Sequence, residues 1–311
     1  MGIKITFLRV GFSGIAFCAH PKANLIFAGH PFGLKKNAKP LVERSLLQIT
    51  HKDDEGVTKN IVTLNRELSD DEKVLIPLNA KLKTLRIDFA LPNYSIYKEH
   101  WGAGSSKLRH MSGTQLTRRF VGTDGVAGRL YGHWVQQCPS GLRRYLTFNR
   151  LPTVERDFSS MHLYLLYGLA GERPPEGDLY AFGHVDRDWM KSILTRSIGA
   201  DSREEAIAAL KKEMKEVAPK LMKRAESYFD RFWEHHQKVY DQLFNGNTWA
   251  KLQFLDSTIA LKTLKILTRN NIVCIPIHDS FIVQDRYAEQ LEVAMVSAFN
   301  SLFPDMQMRI K

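Results

Sequence analysis

The sequence predicts an α+β fold: an antiparallel sheet backed by helices, a helical insertion between two parts of that sheet, and a smaller N-terminal region of unassigned shape. Three observations predict it. Ile275-Pro-Ile-His-Asp-Ser-Phe-Ile-Val283 sets strand-favouring apolar residues on both sides of His278-Asp279-Ser280, which reads as a tight bend between two strands. Val154 to Phe158 reads as a short strand that ends at a helix, with Ser159 or Ser160 as its cap. Between them, residues 184–248 carry their apolar positions at helical spacing.

Residues 1–35 read as short strands punctuated by Gly14, Pro21, Gly29, Pro31 and Gly33. The apolar run from Val10 to Ala19 follows Lys4 and Arg9, faintly like a signal peptide. A buried strand is the better reading, because Leu25 to Ala28 continues in the same style. Met1-Gly-Ile-Lys-Ile-Thr6 matches a myristoylation pattern short enough to arise by chance. Asn60 to Leu64 is strand-like, and Ser69-Asp-Asp-Glu-Lys is a helix start with acids in its first turn. His20, His30 and His51 are scattered and read as ordinary surface or core histidines.

Residues 100–121 interleave Trp101, Lys107, Arg109, His110, Arg118, Arg119 and Phe120 with small polar residues. Such a mixture suits a phosphate backbone, and a solvated basic helix equally well. Gly128-Arg-Leu, Tyr131, Trp134, Gln136 and Gln137 follow, then Arg143 and Arg144. Arginine reaches phosphates and minor-groove acceptors, though salt-bridged surface arginines fit the pattern too. Residues 159–170 form a helix. Asp186 to Ile198 is another, with Arg187 and Lys191 on one face. Two cations there repel and call for an anion, a triphosphate being a natural one; solvent is the plainer alternative.

Ser202 caps a helix to Lys215, with Glu205 completing a capping box and Ala206, Leu210 and Met214 at helical spacing. Leu221 to Phe244 reads as one long helix whose Phe229, Phe232, Trp233 and Tyr240 suit a core better than a base-stacking platform. Gln253 to Thr268 is a helix ended by Asn270-Asn271, and Ile272 starts the strand toward Asp279. Asp256 and Ser257 either face a site or serve the helix dipole. Arg286 to Phe299 is amphipathic, and the tail to Lys311 is expected to pair with the sheet.

Asp157 and Asp279, remote along the chain, thus both fall at strand ends. A charged side chain near core strands costs free energy unless it is paired or binds a cation. Two such acids meeting at one point could share a pair of divalent ions, roughly 3.5–4 Å apart in two-metal phosphoryl transfer. Mg²⁺ (or Mn²⁺) suits two carboxylates, waters and substrate phosphates.

Bulk properties agree. The 311 residues allow one large domain or two ordinary ones, and 44% hydrophobic content supports a sizeable core. A formal charge of +11 points to a polyanion, nucleic acid before membrane surface. Cys18, Cys138 and Cys274 form no C-x-x-C pair, which argues against zinc and disulfides and for a cytoplasmic setting. No apolar run reaches the ~18 residues of a membrane span.

Four segments in order carry a resemblance. Asp157-Phe-Ser-Ser-Met-His-Leu is similar to the first palm motif of family-A DNA polymerases. His278-Asp279-Ser280-Phe281 resembles their third motif, in the form found in single-subunit RNA polymerases. Gly128-Arg129-Leu130 with Arg143, Arg144 and Phe148 resembles the segment entering the first motif, and Arg187 with Lys191 the start of the fingers helix. The resemblance spans residues 125–290, roughly half of the chain. It implies a palm with a helical fingers insertion: residues 1–120 as an N-terminal, thumb-like gripping region, 121–183 and 250–311 as palm, and 184–249 as fingers.

By the same resemblance, Asp157 and Asp279 are the catalytic acids and metal ligands. Arg187, Lys191, His162 and His278 meet the nucleotide. Arg129, Arg143 and Arg144 hold DNA primer–template or a single-stranded template. Other replication proteins are further partners, and no membrane is. His162 stands where family-A DNA polymerases have a glutamate that excludes the ribose 2′-hydroxyl; a histidine can lie under a sugar, bond a 2′-hydroxyl, or pack on a neighbouring strand. Ser280 replaces their usual glutamate, and Gly199-Ala200 their Tyr-Gly. The expectation is a Mg²⁺-dependent DNA polymerase, with a primase or small RNA polymerase as the alternative. A non-catalytic nucleic-acid-binding protein on a polymerase-like scaffold is the reading from another class.

Overall fold

The computed structural model describes residues 7–9, 16–19, 25–27, 44–53, 57–101, 113–182 and 185–311. Strands β1 (Phe7–Arg9), β2 (Ala16–Ala19) and β3 (Leu25–Phe27) form an antiparallel meander. Next come β4 (Leu47–Lys52), β5 (Thr58–Thr63), α1 (Leu75–Thr84), β6 (Ile87–Phe89) and α2 (Tyr94–Trp101). After them come β7 (Thr117–Val121), β8 (Thr123–Tyr131), the short α3 (Ser140–Arg143), β9 (Leu146–Phe148) and β10 (Leu151–Asp157). The helices α4 (Met161–Ala170), α5 (Arg187–Ile198), α6 (Arg203–Val217), α7 (Ala225–His235), α8 (Gln237–Tyr240) and α9 (Thr248–Arg269) follow. The hairpin β11 (Ile275–Ile277) and β12 (Ser280–Gln284) leads to α10 (Ala288–Asn300).

The fold is mixed α+β. Its central sheet is antiparallel, in the order β11-β12-β10-β9-β6. Helix α10 packs on β10 and β12, and α9 packs on α10 and α4 and across β8. Phe158, Phe281 and Phe299 are fully buried there, with Phe158 edge-on to Phe281 at 6.1 Å. The β9–β10 connection is a two-residue turn through Asn149 and Arg150, both at positive φ (52° and 68°), the backbone such hairpins require. The expected tail pairing is present: Ile310 bridges Phe158, and the backbones of Asp157 and Lys311 exchange hydrogen bonds of 2.9 and 3.0 Å.

A second sheet, β5-β4-β7-β8, has β4 and β7 parallel and the other pairs antiparallel. The sequence reading left this region without a shape. Arg118, in the stretch that suits a phosphate backbone or a solvated basic helix, is instead turned into the core. It is 5% exposed, bonds Glu72 at 2.9 Å and lies over the rings of Phe120 and Phe254. Lys107, Arg109 and His110, and likewise His20 and His30, lie outside the described residues.

Between the two halves of the central sheet lie α5 to α8. Ser202 caps α6 as expected, with the Glu205 amide donating to its hydroxyl at 3.1 Å, but the expected capping box is not closed: the Glu205 carboxylate accepts from the Asp201 amide at 2.9 Å rather than from that of Ser202. The single helix expected over Leu221 to Phe244 is not. A 3-10 turn, Pro219–Arg224, precedes α7, and the chain leaves helical geometry at His236. The His236 ring explains the break: it is buried, bonded to the Tyr167 hydroxyl at 3.0 Å and to the Leu179 carbonyl at 2.9 Å. Phe229, Phe232 and Trp233 are core residues. Among the described residues, no helix is long and apolar enough to cross a membrane.

Candidate active site

The two aspartates meet. In the β10–β12 ladder Asp157 lies opposite Ser280, and the Phe158 amide donates to the Asp279 carbonyl at 3.2 Å. The β11–β12 turn comprises His278 and Asp279 alone, with His278 at φ 58°. A left-handed histidine at a turn tip costs on the order of 1–3 kcal/mol, the kind of strain held at functional positions. Burial, and after it the charge of Asp279, push the Asp157 carboxyl up to about 6, against the pull of Lys311, whose Nζ stands 3.5 Å from Asp157 Oδ2.

A second layer surrounds them. Arg129, on β8, donates to Asp256 Oδ2 at 2.7 Å and lies 3.2 Å from His162 Nε2. Asp256 is 2% exposed; burial pushes its carboxyl up to about 6, Arg129 pulls it down, and the charges of Asp279 and Asp157 push it further up. A guanidinium only donates, so His162 Nε2 accepts and the ring proton sits on Nδ1. Burial and then the Arg129 charge hold His162 down at about 4, keeping it neutral. Burial and Arg129 also lower His278, whose Nδ1 is buried without a hydrogen bond and whose ring stands edge-on to Tyr131.

Lys191, on α5, is exposed and has no carboxylate partner among the described residues; its charge reaches His162. Arg187, one turn earlier, is tied to Asp178 at 2.7 Å and lies over the Tyr180 ring. Tyr180 is buried, its hydroxyl bonds Ser160, and burial raises its pKa. Ser160 occupies the expected cap position of α4 but makes no side-chain cap bond, because it is left-handed at φ 58°. Arg143 grips Glu155 through two bonds of 2.8 and 2.7 Å, and Arg144 lies over Tyr145.

Three residues that sequence reasoning passed over, or left open, belong to this group. Asp256 was left between a site role and a dipole role, and the ion pair with Arg129 decides it. Glu155 accepts from the Ser280 hydroxyl at 2.7 Å, so a carboxylate stands beside the residue that follows Asp279. Its signal was its place two residues before Asp157, on the same strand face. Tyr180, in an irregular segment, gave no signal.

The donors are oxygen atoms on hard carboxylates, and Asp157 and Asp279 repel. That set fits Mg²⁺, which takes one or two carboxylates and completes its shell with water and phosphates. Among the described residues no group of three or more metal-ligating side chains converges, so a full protein cage is not available.

No protein-family model matches the chain. No curated protein matches it. Among solved structures it is similar to the POL domain of Pol1 from M. smegmatis in complex with DNA primer-template and dNTP, with a TM-score of 0.37 and 11% identity. That match covers 66% of this chain and 48% of the other, so this chain spans about half the length of that structure. A likeness of that size carries no inference about activity.

Proposed function

We propose that the chain is a template-directed nucleotidyltransferase that extends a DNA primer, of the family-A polymerase type. The observation that carries this reading is the meeting of Asp157 and Asp279 at adjacent strand positions, with the Asp157 carboxyl pushed up by burial and by its neighbour. Acids that repel are costly where they have only a structural role, which weighs against a binding protein on an inactive scaffold. Asp157 and Asp279 would hold divalent ions. When bound, these ions supply Lewis-acid activation of the primer 3′-hydroxyl and charge neutralisation at the leaving pyrophosphate.

Lys191, exposed and without a carboxylate partner among the described residues, would meet the triphosphate. Arg187 would do so only on leaving Asp178, which makes it the weaker of the two phosphate contacts. Arg129 acts from behind: held by Asp256, it orients His162. The assay is primer extension with primed template, Mg²⁺ or Mn²⁺ and nucleotides. Asp279→Ala should lose at least about 100-fold in rate, about 2.7 kcal/mol of barrier. Undiminished extension by that variant overturns the reading.

A second reading, ribonucleotide use as a primase or small RNA polymerase, has an observation of its own. His162 presents Nδ1–H rather than a carboxylate, and an N–H donor accepts the company of a 2′-hydroxyl that a carboxylate of the right length would crowd out. Deoxynucleotides offered against ribonucleotides, with and without a primer, separate the two.

A further inference from the structure

On a different part of the molecule, α1 with the turn before it and the C-terminal end of α9 border an open groove of about 630 Å³, floored in part by Val74 and Pro77 and otherwise lined by polar and charged side chains, among them Asp70, Lys73, Lys81 and Arg269. With Lys262 and Asp71 at its edge, five cations face two carboxylates. Lys73 is paired with Asp70, and Lys262 and Lys265 share Asp71. Lys81 donates to the Thr268 carbonyl at 3.4 Å and Arg269 is exposed, and among the described residues neither has a carboxylate partner. The groove therefore carries an uncompensated positive charge in a chain that is already strongly basic.

The form of the site points to an extended anion. A compact phosphate site gathers converging N–H groups, as at a helix N-terminus. Here the helix end presents carbonyls, and the charges are separate ammonium and guanidinium groups on long stems, spread along an open channel. At 1.5 Å per residue, Lys265 and Arg269 lie about 14 to 20 Å along α9 from Asp256. One rigid helix thus joins this groove to the candidate active site.

We propose that the groove is a second nucleic-acid contact, taking backbone phosphates of the primer–template away from the paired aspartates. It rests on the nucleic-acid partner of the reading above, but not on catalysis. The test is binding of a fluorescently labelled primer–template duplex across a salt series, without nucleotide or divalent ions. The double variant Lys81→Gln, Arg269→Gln should bind more weakly, with its log K against log salt slope shallower by about 1.8, or 0.9 for each lost phosphate contact. Asp70→Asn should bind more tightly than the parent at low salt, which no folding defect would produce.

A double variant with the parent's slope and affinity overturns the proposal, as does an Asp70→Asn variant that binds no more tightly. Loss of inorganic triphosphate binding with duplex binding intact would make the groove a small-anion site and overturn it too. A parent chain that binds no duplex removes the nucleic-acid reading, and this assignment with it.

Discussion

Replacing Asp157 with Asn removes a carboxylate whose ionised form is disfavoured by burial and by Asp279. The variant is expected to melt at a higher temperature than the parent while losing primer extension. A structural aspartate would do the reverse, so thermal melting beside the extension assay distinguishes the two roles. Asp256 should behave differently, because its charge is matched by Arg129. Asp256→Ala strands a guanidinium that is itself only 15% exposed, and breaking such a pair costs about 3–5 kcal/mol. Urea unfolding measures it. Asp256→Asn, which keeps an acceptor for Arg129, should cost less.

At the scale of elements, α4 and the C-terminal segment pack without spare room. A Cβ at Gly168 would stand 2.3 Å from the Phe303 ring, so Gly168→Ala should destabilise by about 1–3 kcal/mol in the same unfolding experiment. The break between α7 and α8 brings a pH dependence. Burial holds the His236 ring down at about 4, and that of His133 down at about 3. The unfolded chain takes up a proton at each near 6.5, where the folded chain refuses it. Stability is therefore fully present above about 6.5 and declines as pH falls toward 4 and then 3. Urea midpoints measured across that range should fall with acid. Glu72 steepens the acid end of that slope: burial pushes it up, but bonds from Arg66, Ser69 and Arg118 prevail and hold it at about 2, so its contribution is lost as pH falls below about 4.5, where the unfolded chain takes up its proton.

At the scale of the whole molecule, the buried Glu72 joins Arg66, near the end of β5, to Arg118 on β7, and Arg118 reaches Ser257 on α9 at 3.2 Å. The β5-β4-β7-β8 sheet is thus tied by a buried polar cluster to α9, the helix that also carries Asp256. Of the basic run over residues 100–121, Arg118 is buried and paired with Glu72, because charge content alone does not distinguish a surface cation from a paired internal one. The helical insertion was legible in its apolar spacing, down to the Ala206, Leu210 and Met214 stripe. The break at His236 was not, since its cause lies on α4 and in the segment after it.

What the sequence determined by itself is local. The strand ends at Asp157 and Asp279, the turn at His278, the serine cap of α6 and the helical span between the two acids all follow from propensity and periodicity within a few residues. Tertiary structure alone decided who stands beside whom. It set β10 next to β12, gave Arg129 to Asp256 and Arg143 to Glu155, and left Lys191 exposed while binding Arg187 to Asp178. The physical reason is that an ion pair or a ladder register is selected by the free energy of burying the whole chain at once. No window of sequence contains both partners of a contact that folding makes between remote segments.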